Sequence, residues 1–122
     1  MAWTWKIFWA AMMRPEGTLL ESGYAGNGAW KNDPEATNIH DHGPLPAGLY
    51  FIGTPHDDIK VGEFAMALTP DPGNVMFGRF GFFIHGDSED HPGQASDGCI
   101  VLSRWAREAI AASDDKDLLV VP

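Results

Sequence analysis

The single cysteine of this 122-residue chain, Cys99, stands in a setting that suits a nucleophile. Gly98 precedes it, the apolar triplet Ile100-Val101-Leu102 follows it, and His85-Gly86 lies fourteen residues upstream at the end of an apolar run. A thiol that attacks a carbonyl needs a base within hydrogen-bond reach and N–H groups aimed where the oxyanion develops. His85 supplies a base, and glycine before a nucleophile lets the backbone turn sharply and bring its N–H groups to a substrate carbonyl. The Ser96 hydroxyl can reach the imidazole or a substrate, while Asp97 either orients the base or faces solvent. A buried structural cysteine is the ordinary alternative, and the residue types by themselves leave both open.

These residues must be positioned by the elements around them. Arg79-Phe-Gly-Phe-Phe-Ile84 is nearly continuous and apolar, which predicts a central strand buried on both faces with His85 at its end. Cys99 to Leu102 reads as a short strand or turn, and Ser103 as the N-cap of a helix through Trp105, Ala106, Ala109 and Ile110. At the other end of the chain, Trp3, Trp5, Ile7 and Trp9 alternate as in a strand with one buried face. A turn at Pro15-Glu16-Gly17 and a return strand over Thr18–Tyr24 follow. Gly48–Gly53, Phe64–Thr69 and Leu118–Val121 are further strands. The polar, Gly-rich stretch from Gly23 to Pro46 exceeds twenty residues without a periodic pattern. An ordered loop of that length in a compact domain is usually functional, disorder being the alternative. It carries Tyr24 and Trp30, which either wall a cleft or belong to a plain Gly-rich turn. The expectation is one domain over residues 1–122, mostly β, with six or seven strands and one or two short helices.

Composition narrows the function. The chain has 17 acidic and 8 basic residues, a formal charge of −9, and no Lys/Arg cluster. That argues against binding a nucleic-acid backbone or an anionic membrane surface. Five Trp, seven Phe and 44% hydrophobic residues exclude intrinsic disorder. No stretch approaches the roughly 20 apolar residues that span a bilayer, so no membrane insertion is expected. The apolar start lacks a basic n-region, is interrupted by Lys6 and runs into Arg14-Pro15-Glu16, so it reads as a strand rather than a secretion leader. His40-Asp41-His42, His56-Asp57-Asp58, His85-Gly86-Asp87 and His91 invite a metal site, but their spacing matches no metal signature. No metal or other cofactor is expected.

His85-Gly86 and Ser96-Asp97-Gly98-Cys99-Ile100-Val101-Leu102-Ser103 resemble the motif of L,D-transpeptidases of the YkuD type. Gly43-Pro44-Leu45-Pro46-Ala47-Gly48-Leu49-Tyr50 is similar to the family's Thr-Pro-x-Gly-x-Tyr approach to a strand. Gly23-Tyr24-Ala25-Gly26-Asn27-Gly28, then Lys31-Asn32-Asp33-Pro34 and Gly43-Pro44, resemble a smaller branch. These are short, leaderless L,D-transpeptidase-like effectors of bacterial type VI secretion systems. The likeness runs from Trp3 to about Ile110. Two positions depart from the pattern: Asp97 replaces a histidine, which the effector branch tolerates, and Val101 replaces an arginine. Arg104 and Arg79 are candidates to restore that guanidinium.

The resemblance implies an L,D-transpeptidase-like β-sandwich or mixed sheet. It also implies a Cys99 thiolate that attacks the diaminopimelate–D-alanine bond of stem tetrapeptides. His85 would be its base, with the N–H groups of Gly98 and Cys99 forming the oxyanion hole and Ser96 supporting the site. Asp97, Arg104, Tyr24 and Trp30 would face the substrate. An effector made in the cytoplasm and delivered to a rival's periplasm would act on peptidoglycan stem peptides and require a cognate immunity protein. A non-catalytic wall-binding or secretion-apparatus module of the same fold is the rival reading. A His/Asp metallohydrolase is a more distant one.

Overall fold

The computed structural model describes residues 1–122. Its strands are β1 (Ala2–Lys6), β2 (Ala11–Met13), β3 (Leu19–Ser22), β4 (Tyr24–Ala25), β5 (Gly48–Ile52), β6 (His56–Asp58), β7 (Gly62–Pro70), β8 (Phe83–His85), β9 (Ile100–Val101) and β10 (Asp117–Val121). Helix α1 (Arg104–Ala112) precedes β10, and one 3-10 turn spans Gly28–Trp30. The sheet runs β3-β2-β1-β10-β5-β7-β8-β9-β4, with β6 paired to β7. The pairs β1–β10 and β8–β9 are parallel and the others antiparallel, so the fold is mostly β with a mixed sheet, as the sequence predicts.

Period-two patterning builds the core. Trp3 pairs with Leu118 and Trp5 with Val120 across β1–β10, and Leu118 pairs with Tyr50 of β5, so the buried members fall on one face. Met12, Ile52, Met66, Ile84 and Ile100 complete that layer, and α1 adds Ala106 and Ile110. The Ser103 hydroxyl accepts the Ala106 N–H at 3.2 Å, the predicted N-cap, and donates to Glu21 at 2.6 Å. β7 is nine residues long and pairs with β5 at one end and with β8 nearer its middle, which joins the Trp-rich half of the sheet to the His/Cys half.

Several expectations are corrected. There are ten short strands rather than six or seven, and β6 escapes sequence reading because its residues, His56-Asp57-Asp58, are polar. The first strand stops at Lys6 and turns through Ala10, whose φ is +52°, to return as β2. Ile7 is buried there, but Trp9 is 71% exposed and packs edge-on against Phe8, so it is no core residue. The return strand breaks into β3 and β4 at Gly23, where a Cβ would collide with the Val101 carbonyl oxygen. Of the run Arg79–Ile84, only Phe83 and Ile84 are in strand; Gly81 has φ +79° and Phe80 is 89% exposed. Trp105 lies on the outer face of α1.

Candidate active site

The position of Cys99 follows from strand pairing. β9 runs parallel to β8 with Ile100 opposite Ile84, so Cys99, one residue before β9, falls beside Phe83. The Phe83 N–H donates to the Cys99 sulfur at 3.3 Å, and the thiol lies 3.9 Å from the Gly81 carbonyl oxygen. The turn before it is tied off by Ser96, a buried residue. Its Oγ accepts the N–H of Gly26 at 2.9 Å and of Gly98 at 3.1 Å, and donates to the Cys99 carbonyl at 2.6 Å. Gly98 has φ +142°, and a Cβ there would stand 2.6 Å from Arg79 Nη2 and 2.8 Å from Phe82 Cε1. No other residue type fits this corner.

Under the turn lies Arg79, buried against the Phe82 ring at 5.1 Å. Its Nη1 donates to the carbonyls of Thr37 at 2.7 Å and Pro44 at 2.8 Å. Its Nη2 donates to those of Gly43 at 2.8 Å and Asp97 at 3.1 Å.

His85 closes β8 and is only 3% exposed. Its Nδ1 stands 2.8 Å from the Gly86 carbonyl oxygen. A carbonyl only accepts, so Nδ1 carries the proton and Nε2 the basic lone pair. Burial holds the imidazole below its ordinary range, with the nearby Arg107 cation adding to the effect and the Gly86 carbonyl opposing it. Burial likewise pushes the Cys99 thiol up to about 11, against the N–H of Phe83 and the Arg79 cation, while Asp97 pushes the same way as burial. At neutral pH both groups are therefore uncharged, and no hydrogen bond joins them. A base and thiol so arranged can exchange the proton once a substrate excludes water and draws them together.

Both side chains open into one cleft of about 540 Å³. Arg79 to Phe83, Ala95 and Asp97 line it with them, His40 and Asp41 form one rim, and Asp58, Lys60 and Val61 of the β6–β7 turn form another. Lys60 escapes sequence analysis, and Asp41 and Asp58 enter it only as metal candidates, because only the topology brings their loops to the thiol. The Phe83 N–H is invisible to side-chain patterns altogether.

The other sequence-selected residues are distributed as follows. Cys99, His85 and Asp97 share the cleft, with Ser96 and Gly98 directly behind them. The Gly98 N–H donates to Ser96 Oγ at 3.1 Å. The Tyr24 hydroxyl donates to Asp87 at 2.6 Å and accepts the Ala95 N–H at 3.0 Å, tying down the 87–95 loop. Trp30 stacks on His42 at 4.8 Å, outside the cleft lining. Arg104 lies over Phe64 at 4.3 Å and pairs with Glu108 at 3.3 Å, also outside it. The histidines are dispersed: His40 reaches the Phe77 carbonyl at 2.7 Å, His42 reaches Asn27 at 2.8 Å, and His56 reaches Asp58 at 3.7 Å. They gather no group of three His, Cys, Asp or Glu side chains suited to a metal. No helix is long and apolar enough to cross a membrane.

No curated protein and no solved structure matches the chain at a significant level. The family model of the Tlde1 domain does match, over residues 20–121. That span takes in β8 with His85, Cys99 just before β9, the Ser96–Gly98 turn and every loop around the cleft. By this match the chain belongs to the Tlde1 domain family, a family of type VI secretion effectors.

Proposed function

We propose that the protein is a peptidoglycan-modifying cysteine enzyme of L,D-transpeptidase type, acting on stem tetrapeptides as an L,D-carboxypeptidase, a D-amino-acid exchanger, or both. The observation that carries this reading is the arrival of His85 and Cys99, from adjacent parallel strands, in one cleft. A buried thiol that accepts the Phe83 N–H and shares its cleft with a buried imidazole is the equipment of acyl transfer.

In this scheme Nε2 of His85 takes the thiol proton as the Cys99 sulfur bonds to the carbonyl carbon of the diaminopimelate L-centre. The Cys99 N–H stabilises the oxyanion. Collapse breaks the C–N bond, the same proton passes to the departing D-alanine amine, and a thioester remains. Water then yields the tripeptide, or a D-amino acid yields an exchanged tetrapeptide, and either restores the thiol. Asp97, at the cleft wall, contacts the donor peptide, while Ser96 keeps the turn in place. Tyr24, Trp30 and Arg104 act on the substrate only if a larger glycan-linked ligand extends past the cleft. As an effector, the protein would reach a rival's periplasm through a type VI apparatus, and its producer would need an immunity protein.

Mass spectrometry of muropeptides after incubation with wild type and Cys99→Ala tests the reading. Loss of tetrapeptide with gain of tripeptide or exchanged tetrapeptide, absent in Cys99→Ala, is the expected result. Equal conversion by both proteins overturns it.

A further inference from the structure

We propose that Arg79 is the positioning residue of this site: it fixes the nucleophile's turn and supplies the positive charge against which the Cys99 thiolate forms. The proposal rests on the reading of Cys99 as nucleophile.

An arginine in such a cleft invites assignment as a substrate-carboxylate clamp, the role that a guanidinium near the motif would ordinarily take. Its hydrogen bonds argue otherwise. All four Nη hydrogens are committed to the main-chain carbonyls of Thr37, Gly43, Pro44 and Asp97, at 2.7–3.1 Å. Nothing is left on those nitrogens for a ligand. Burying a guanidinium is costly, and four carbonyls offset that cost without cancelling the charge, since no ion pair includes Arg79.

Two consequences follow from this arrangement. The first is geometric. The peptide unit between Asp97 and Gly98 is gripped at both ends, its carbonyl by Arg79 and its N–H by Ser96. That grip holds Gly98 at φ +142° and so aims Cys99 into the cleft. The same guanidinium binds the loop carrying Thr37, Gly43 and Pro44 to the turn, so one residue joins two walls of the site. A lysine is a point donor and cannot span this planar array.

The second consequence is electrostatic. Charged and titratable groups facing Cys99 and Arg79 are Asp97, Asp41, Tyr50 and His85, with Arg107 behind His85 and with His40, Asp58 and Lys60 on the cleft rims. Asp97 disfavours a thiolate and His85 is neutral at rest, whereas Arg79, pinned by its Nη2 to the Asp97 carbonyl two residues before Cys99 and lining the same cleft, is the buried cation that favours ionised sulfur. Arg79 thus acts on the reaction through Cys99 rather than by touching substrate.

The test compares wild type, Arg79→Lys, Arg79→Gln and Cys99→Ala, with folding checked by circular dichroism. Iodoacetamide alkylation of Cys99 against pH, which needs no substrate, reads the electrostatic role. For Arg79→Gln the alkylation midpoint rises by about one pH unit. For Arg79→Lys it stays near wild type. D-alanine release from stem tetrapeptide reads the positioning role: kcat falls at least about tenfold in both variants, with KM changed less than about threefold. A folded Arg79→Gln with the wild-type alkylation profile, or Arg79→Lys with wild-type kcat, overturns the proposal. If Arg79→Gln does not fold, the guanidinium ¹⁵N resonances of wild type decide the electrostatic part. They titrate with the thiol and are flat in Cys99→Ala if the proposal holds, and flat resonances in wild type overturn it. Undiminished D-alanine release by Cys99→Ala removes the nucleophile reading and this proposal with it. An inactive Cys99→Ala with unmoved Arg79 variants removes this proposal alone.

Discussion

The backbone N–H of Phe83 points at the sulfur of Cys99 from 3.3 Å, so the thiol is held by a main-chain donor rather than by His85. Burial nevertheless wins over that donor and keeps the thiol protonated, up to about pH 11. Alkylation of the folded wild type by iodoacetamide should therefore be slower at pH 7 than that of a free thiol, and should accelerate steadily toward pH 11. Rapid labelling at pH 7 in the folded protein would show instead a resting thiolate.

Gly98→Ala forces a Cβ against Arg79 and Phe82 at a φ of +142°. The backbone strain costs about 1–3 kcal/mol. The displaced Cys99 N–H costs on the order of 10²–10³ in rate. Urea melts and D-alanine release measure the two effects separately. A variant with wild-type turnover would mean that the turn is not under the constraint described here.

Ser96→Ala removes a buried hydroxyl that serves Gly26, Gly98 and Cys99 together. Each polar group left unpaired costs about 1–3 kcal/mol. Activity should fall along with stability. Because the Gly98 N–H is released, the loss of turnover should be smaller than in Cys99→Ala. Chemical denaturation alongside the turnover assay gives both numbers.

Tyr24→Phe removes the hydrogen bonds to Asp87 and from Ala95, and so frees one edge of the 87–95 loop. The expected cost in stability is about 0.5–1.5 kcal/mol. Limited proteolysis should find new cleavage between residues 87 and 95, with His85 and Cys99 chemistry intact in the uncut protein. Unchanged protease resistance would deny the hydroxyl this role.

Stability should fall toward both ends of the pH scale. On the alkaline side the folded protein holds protons more tightly than the unfolded chain. Cys99 is raised from 9.0 to about 11, Tyr24 from 10.0 to about 12, and burial raises Tyr50 as well. Folding stability is then full below about pH 9 and declines as pH climbs through these raised values. On the acid side His85 is lowered from 6.5, so the unfolded chain takes up its proton first and stability declines below that value. Asp58, lowered by the N–H groups of Lys60 and Val61, and Asp87, lowered against its burial by the Tyr24 hydroxyl and then by the N–H groups of Gly93 and Ser88, add to the loss at lower pH. Thermal melts across the range test this. Cys99→Ala should delay the alkaline decline, and His85→Gln should flatten the stretch just below pH 6.5.

Period-two patterning places Trp3 and Trp5 on a buried face, as the structure shows, because burial of alternate residues is a local rule. It failed at Trp9, where a four-residue turn with Ala10 at positive φ redirected the chain. It failed again at Phe80, whose apolar neighbours disguise a loop shaped by Gly81. His85 and Cys99 were legible as residue types near glycines. What the sequence could not carry was the traffic of main-chain groups between them. The Gly98 N–H was expected at the oxyanion, and Ser96 claims it. Arg79 is one of two candidates to restore the missing guanidinium, and four carbonyls claim its Nη hydrogens. Such competitions are decided by loops meeting in space, which spacing along a chain does not encode.

The placement of β10 between β1 and β5 bears on how this protein comes into being. The segment made after His85 and Cys99 is the one that unites the two halves of the sheet. Pairings between β1 and β10 link positions 115 residues apart, such as Ala2 with Asp117, a topology that folds slowly. The producing cell therefore has an interval, set by translation and sheet closure, in which the nascent chain exists without a consolidated sheet.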